Sequence, residues 1–399
     1  MGAHHVAPPR RARPSDGWYS PASCSLEEFA RLVEASTDAA DYPWADDVIQ
    51  NVLIYGKRIQ PALINKEARR AIQAELARAL LAGPGIVVFQ QAFDPSVVDR
   101  GTEAFDALIA AQKASGVRSG DHFAKPGAND RVWGALDKLA VYDPAVFADY
   151  YANDVLALIS TAWLGPQYQL TSQINVVNPG GQAQVAHRDY HLGFMSADQA
   201  ARFPAHVHQL TAALTLQGAV AHCDMPVETG PTLYLPHSQK YGPGYLAFHQ
   251  PDFTSYFESH YVQLPLAKGD AAFFNPALFH GAGTNRTADL RRMANLLQIS
   301  SAFGRAMETV DRTAVSRALF PVLAARLAAG VSEASIRNVI AASAEGYAFP
   351  TNLDRDQPVD GLAPQTQAEL VWQALSEGWS LAASGQALAE HADRRESEV

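Results

Sequence analysis

Residues 185–194 read VAHRDYHLGF, and the spacing of His187, Asp189 and His191 decides how the chain is to be read. In an extended strand, side chains at i and i+2 share a face with Cα atoms about 6.6 Å apart, so a histidine and an aspartate at that spacing converge on one ion. A residue at i+4 shares the face but lies about 13 Å from the first. Metal–nitrogen and metal–oxygen bonds are about 2 Å, so His191 joins the same ion only if the strand bends sharply. His187 and Asp189 are therefore read as ligands. His191 is read as a neighbour that supports them or packs at the strand end, and Tyr190 as a residue of the pocket or of the packing.

The third ligand must come from elsewhere. Of the histidines that follow, His280 in KGDAAFFNPALFHGAGTNRTADLRR has the most suitable surroundings: a short strand and a turn before it, two glycine-containing steps behind it. Small residues beside a ligand leave room for a substrate. Two histidines and one carboxylate on one face, with the other positions open, is the facial triad of non-haem Fe(II) oxygenases. Arg291 stands eleven residues after His280 and Arg292 twelve, where turn gives way to strand. A guanidinium there suits the far carboxylate of a 2-oxo acid, held in bidentate fashion. Arg291 is the expected clamp. Arg292, on the opposite face of a strand, is the alternative.

The set HRD (187–189), His280 and Arg291 resembles the phytanoyl-CoA dioxygenase-like branch of the Fe(II)/2-oxoglutarate oxygenases. GIVVFQQAFDPSVVD resembles that family's opening strand and helix, DMPVETGPTLYLPHSQKY (224–241) its Gly-Pro turn and strand, and FFNPALFHGAGTNRTADLRR its distal-histidine segment. The resemblance covers roughly 80–305. Thr229, His237, Gln239 and Ala282 depart from the family pattern, none of them at a ligand position. Asp189 is present where related halogenases lack a carboxylate, which favours hydroxylation. The resemblance implies Fe(II), 2-oxoglutarate and O2 as cofactor and co-substrates, with ascorbate as a supporting reductant. It also implies that amides on the strand TSQINVVN, Asn175 ahead of Gln173, contact co-substrate or substrate. The products implied are succinate, CO2 and a substrate hydroxylated at an unactivated C–H bond. Two other readings stand beside it: a Zn(II)-dependent hydrolase or lyase on a cupin-like scaffold, and a non-catalytic jelly-roll binding protein.

Around this centre the texture of the chain changes twice. From 167 to about 304, short β-rich runs alternate with Gly, Pro and Asn turns, among them QAQVAHRDYH and HQLTAALTLQGAVAHC, as in a sandwich or barrel. Helical periodicity flanks that stretch. NKEARRAIQAELARALLA stops at Gly83-Pro84-Gly85, Asp94 caps a second helix and Ser25 a first, and helices return after 310. The fold expected is α+β: a double-stranded β-helix, or jelly roll, with flanking helices. The expected divisions are a disordered tail at 1–22, a helical extension at 23–79, the oxygenase domain at 80–305, a C-terminal helical extension at 306–388 and a mobile tail at 389–399. A polar loop with His122, Lys125, Arg131 and Trp133 is a candidate lid.

The 399 residues carry a formal charge of −10, which argues against non-specific binding to nucleic acid or to an anionic membrane surface. No apolar run approaches the roughly 20 residues that span a bilayer, and the N-terminus shows no secretory pattern. Only Cys24 and Cys223 are present, which points away from a disulfide framework and toward a reducing cytoplasm. The expected partner is a small-molecule substrate, and a homodimer is compatible with the helical extensions.

Overall fold

The strands VLIY, IVVF and AAFF of the major sheet are apolar on both faces, because both faces are covered there. The computed structural model describes residues 17–116, 128–358 and 361–397. The strands are β1 (Asp47–Ile49), β2 (Val52–Tyr55), β3 (Ile86–Phe89), β4 (Asn129–Val132), β5 (Gln169–Val177), β6 (Thr215–Ala221), β7 (Leu233–Leu235), β8 (Val262–Gln263), β9 (Ala271–Phe274), β10 (Phe279–Gly281) and β11 (Arg292–Ser300). Eight form one sheet in the order β1-β2-β3-β9-β6-β11-β5-β4, antiparallel except for β2 on β3. Three form a smaller sheet, β10-β7-β8.

The period-2 alternation of side chains sorts each strand between two layers. Val52 and Ile54, Ile86 and Val88, Ala272 and Phe274 pack inward, with Tyr234 of β7 and Leu278 beside β10, to fill the space between the sheets. Their neighbours Leu53, Tyr55, Val87, Phe89, Ala271 and Phe273 face a helical layer. On the minor sheet, Leu233, Leu235 and Phe279 pack outward against Phe29, Tyr245, Phe253 and Phe257. The order of layers is helix, large sheet, small sheet, helix: a jelly roll of the α+β class.

The helices begin where their caps are. Asn65 accepts from the amides of Glu67 and Ala68 at 3.0 Å, Asp94 from Ser96 at 2.7 Å with Pro95 behind it, and Ser25 from Glu28 at 3.3 Å.

Several expectations change. Of the tail expected at 1–22, residues 1–16 lie outside the described residues, and the rest is packed: Ala205 donates to Gly17, Trp18 bridges Pro204, and Tyr19 is buried. The extension at 23–79 is not wholly helical, since β1 and β2 lengthen the large sheet. His122 and Lys125 lie outside the described residues, and β4 follows directly. QAQVAHRDYH is not a regular strand; only His187 pairs, in an isolated bridge to His280. HQLTAA belongs to a helix, Ala205–Ala213, and the strand begins at Thr215. The helix Leu381–Arg395 runs through the tail expected at 389–399, with Leu388 and His391 buried. The C-terminal helices share the main core with the sheet: Val315, Leu319, Ile336, Val339 and Leu370 are in one cluster with Leu170, Leu216 and Leu297.

Candidate metal centre

His187 and His280 face each other across the bridge that adds residue 187 to the edge of the minor sheet. The amide of His187 donates to the carbonyl of His280 at 2.9 Å, and the reverse bond is 3.1 Å. Phe279 points outward into the aromatic cluster, so alternation turns His280 inward. Asp189, two residues past His187, is anchored by its amide to the carbonyl of Pro276 at 3.0 Å. One nitrogen from each imidazole and one carboxylate oxygen all lie within 4.8 Å of one another.

The rings are held so that their Nε2 atoms face the shared point. His187 Nδ1 lies 2.8 Å from the carbonyl of Val185, and His280 Nδ1 lies 2.9 Å from that of Leu278. Each Nδ1–H donates to a main-chain oxygen two residues upstream, which leaves the Nε2 lone pair for a metal. His280 Nε2 is buried and makes no hydrogen bond of ordinary geometry, although Asp189 Oδ2 is 3.3 Å away. Gln217 on β6 donates to Asp189 Oδ2 at 2.5 Å and so orients the carboxylate. Burial pushes the Asp189 carboxyl up, but the two imidazoles and the Gln217 amide outweigh it and hold it well below the usual carboxylate range. With a metal bound, the donor set would be two imidazoles, each through Nε2, and one carboxylate. The His187 side chain is 27 % exposed against 4 % for His280, so the centre opens on the His187 side.

His191 takes no part. The chain turns at Tyr190 (φ 61°, ψ 151°) and His191 (φ 47°), and this carries the His191 ring to Thr211 Oγ1 at 2.8 Å. The sharp bend that i+4 ligation required is present, but it leads away from the ion.

Arg291 points out. It is on the surface, 3.4 Å from Asp106 on the helix Pro95–Ala114. Its neighbour Arg292 is buried, and donates through Nη1 to the carbonyls of Thr229 (3.1 Å) and Gly283 (3.4 Å). Burial pushes the Arg292 guanidinium down to about 10. No carboxylate pairs with it among the described residues. The reason is parity: Met293, Leu297 and Ile299 on β11 face the helical layer, so Arg291 shares their side and Arg292 shares the inner one with Ala294 and Gln298.

Gln173 and Asn175 both lie on the inner face of β5. Gln173 is occupied within the protein, accepting from Arg131 at 2.8 Å and donating to Gln298 at 3.3 Å. Asn175, opposite Ala294, has a buried Oδ1 with no partner among the described residues.

A family model described as phytanoyl-CoA dioxygenase (PhyH) matches residues 82–293, more than half of the chain. The chain belongs to the PhyH family. The matched span begins just before β3 and ends on β11, so it contains all three clustered donors. The metal and co-substrate of this PhyH protein are Fe(II) and 2-oxoglutarate, and the His-Asp-His cluster fits the metal through its charge, its fixed tautomers and the orphaned Nε2. Among solved structures, AviO1 from Streptomyces viridochromogenes is 19 % identical over 60 % of this chain and 97 % of its own, with a TM-score of 0.42. SnoK, described as a non-haem α-ketoglutarate-dependent carbocyclase from nogalamycin biosynthesis, is 20 % identical over 64 % of this chain and 90 % of its own, with a TM-score of 0.42. HygX from Streptomyces hygroscopicus, solved with nickel and 2-oxoglutarate, is 15 % identical over 59 % of this chain and 90 % of its own, with a TM-score of 0.39. No curated protein matches the sequence. No helix among the described residues is long and apolar enough to cross a membrane.

Gln217 and Arg188 are site residues that motif spacing does not reveal. Gln217 was legible in one respect, as the single polar amide in the strand LQGAVA. Arg188, between the two ligands, is fully buried and turned away from the ion. It donates to the carbonyls of Ser238 (2.6 Å) and Tyr241 (3.0 Å), with its guanidinium over the rings of Tyr245 and Phe279.

Proposed function

We propose that the protein hydroxylates an unactivated C–H bond of a small-molecule substrate, with release of succinate and CO2. The observation that carries this reading is Arg292, a buried cation with no carboxylate partner among the described residues, which faces the same space between the two sheets as the metal donors. The metal, once bound, supplies the redox chemistry that couples 2-oxoglutarate decarboxylation to substrate oxidation. His187, Asp189 and His280 hold it, and Gln217 keeps the Asp189 oxygen in place.

Arg292 takes the distal carboxylate of 2-oxoglutarate. Its bonds within the protein use Nη1 alone, which leaves the rest of the guanidinium fork for a bidentate partner. Distance fits the assignment. Gln217, which touches Asp189, pairs with Gln298, and Arg292 opens the same strand six residues earlier, about 20 Å away. The arginine side chain and the ligand side chains each cover part of that span, and a five-carbon diacid covers the remainder. Between the two ends, the inner face carries Ala219, Ala221, Ala272 and Ala294, whose side chains stop at Cβ, together with Leu296. Asn175, on the rung of Ala294, offers its free Oδ1 beside this slot.

The reading is tested with Fe(II) and 2-oxoglutarate added anaerobically, followed by air. The expected result is a weak visible charge-transfer band from the chelate, then slow succinate release without substrate. Iron that binds with no band on adding 2-oxoglutarate would overturn it, and tight Zn(II) retention with no band would favour hydrolysis.

A further inference from the structure

The inner face of the large sheet is divided. Towards Arg292 it carries mainly alanines, with Leu296 and Asn175 among them, and at the metal end it carries Gln298 and Gln173, with Tyr190 and Glu308 beside them. Three observations meet at Tyr190. Its backbone, at φ 61° and ψ 151°, occupies a region that is otherwise nearly confined to glycine, at a cost of about 1–3 kcal/mol. Its hydroxyl is buried beside the Gln298 amide, yet makes no hydrogen bond of ordinary geometry among the described residues. It is also the residue next to Asp189, and its buried ring packs edge-on against exposed Phe194 at 6.0 Å.

Glu308 presents a second orphan. Its Oε1 accepts from the amide of Gly134 at 2.8 Å, while Oε2 is buried and makes no hydrogen bond of ordinary geometry among the described residues, although the Gln173 amide is close by. Gln173 accepts from Arg131 at 2.8 Å and donates to Gln298 at 3.3 Å, and these two amides lie beside Glu308 and Tyr190 respectively, so one polar network joins the four side chains to Tyr190. Arg131 and Glu308 offset each other there, so a further full charge would be buried next to a like one. A carboxylate oxygen accepts, and a phenol accepts or donates. Their joint complement is a neutral O–H or N–H group.

We propose that Tyr190 and Glu308 form the subsite for a neutral hydroxyl or amide of the substrate, and that the strained turn after Asp189 exists to aim the Tyr190 hydroxyl at that group. The proposal rests on the oxygenase reading above. Binding such a group gives well-aligned partners to two buried atoms that have none of ordinary geometry among the described residues, and it sets the substrate's polar end beside the metal.

The test uses the full chain loaded anaerobically with Fe(II) and 2-oxoglutarate, and four nitrophenyl probes followed by equilibrium dialysis. p-Nitrophenyl glucoside offers neutral hydroxyls, p-nitroanisole no donor, p-nitrobenzoate an anion and nitrophenyl trimethylammonium a cation. The glucoside is expected to bind about tenfold tighter than the other three, and to lose about tenfold in Tyr190→Phe and in Glu308→Leu. The charge-transfer band and the melting temperature of the same samples report whether each variant is folded and loaded. Should Glu308→Leu fail to fold, Tyr190→Phe carries the test alone. Equal binding of the four probes, binding of none, or wild-type binding by the folded variants would overturn the subsite. Absence of the band in the wild type would sink the oxygenase reading instead.

Discussion

At the scale of single residues, the two adjacent arginines make the sharpest comparison. Arg292→Leu removes the cation from the inner face and leaves the carbonyls of Thr229 and Gly283 without their donor. A charged, desolvated bidentate pair is worth about 2–3 kcal/mol, so 2-oxoglutarate is expected to bind roughly 30- to 150-fold more weakly. Arg291→Leu removes only a surface pair, 48 % and 44 % exposed, and is expected to change 2-oxoglutarate affinity less than about twofold. Titration of the charge-transfer band measures both; a large loss in Arg291→Leu with none in Arg292→Leu would reverse the assignment. The sequence contained the means to choose. The metal donors were legible because HRD sets its own spacing and His280 sits among small residues. The sequence reading put Arg291 first and Arg292 second because distance along the chain from His280 was counted and the parity of the strand was not. Met293, Leu297 and Ile299 alternate as a core-facing row, and a residue at 291 falls in that row.

At the scale of elements, the ligand segment owes its shape to what crowds it. It has no regular ladder of its own, so the period-2 reading of 182–191 was right for the pair 187/189 and wrong for the strand. The bend at 190–191 and the buried Arg188 are tertiary features with no local signal. Gly193 shows the crowding directly: a Cβ there would lie 2.0 Å from the Arg188 carbonyl oxygen, which belongs to the ligand segment itself. Gly193→Ala must therefore shift the main chain between His187 and Asp189. Overpacking of this kind costs about 1–3 kcal/mol, and Fe(II) affinity should fall with it, by roughly tenfold or more. Gly385 is the contrast. It lies inside the helix Leu381–Arg395, where a Cβ meets only Arg317 Nε at 4.0 Å. Gly385→Ala is expected to raise stability by about 0.5–1 kcal/mol. Urea unfolding of both variants checks the signs, and a Gly193→Ala protein as stable and as iron-avid as wild type would refute the account of the segment. The helix Ala205–Ala213 escaped the sequence reading for a related reason. It runs into β6 with no glycine or proline between them, so the change of period at Leu214 carries no punctuation.

At the scale of the molecule, domain limits were the least legible feature. Apolar runs after 310 announce helices but not what they pack on, and they share one core with β5, β6 and β11. The helical side of the sheet also buries a polar group that couples folding to pH. His222 is enclosed, with Nδ1 2.9 Å from Thr102 Oγ1 and Nε2 2.9 Å from the Tyr150 hydroxyl. Burial pushes it down to about 3 from the ordinary 6.5, more than the opposing charge of Asp99 restores. The sign follows from which state takes the proton. Between about 6.5 and 3 the unfolded chain binds a proton at this position and the folded chain refuses it, so stability falls as pH falls, by up to about 1.4 kcal/mol per pH unit. His237, pushed down to about 4 by burial and by Lys240, acts in the same direction. The buried carboxyls of Glu75 and Asp270 are pushed up by burial and oppose the trend toward the acid end. Several groups thus act at once, so the slope of the wild type alone identifies no residue. The difference between wild type and His222→Gln does, because every other group is common to both. The variant should be less stable at pH 7.5, having lost a fitted partner for Thr102 and Tyr150, and the gap should narrow by about 1 kcal/mol between pH 6.5 and 5.5. Urea midpoints at those pH values decide it: parallel curves would mean that His222 is charged in the folded protein and that the enclosure described for it is wrong.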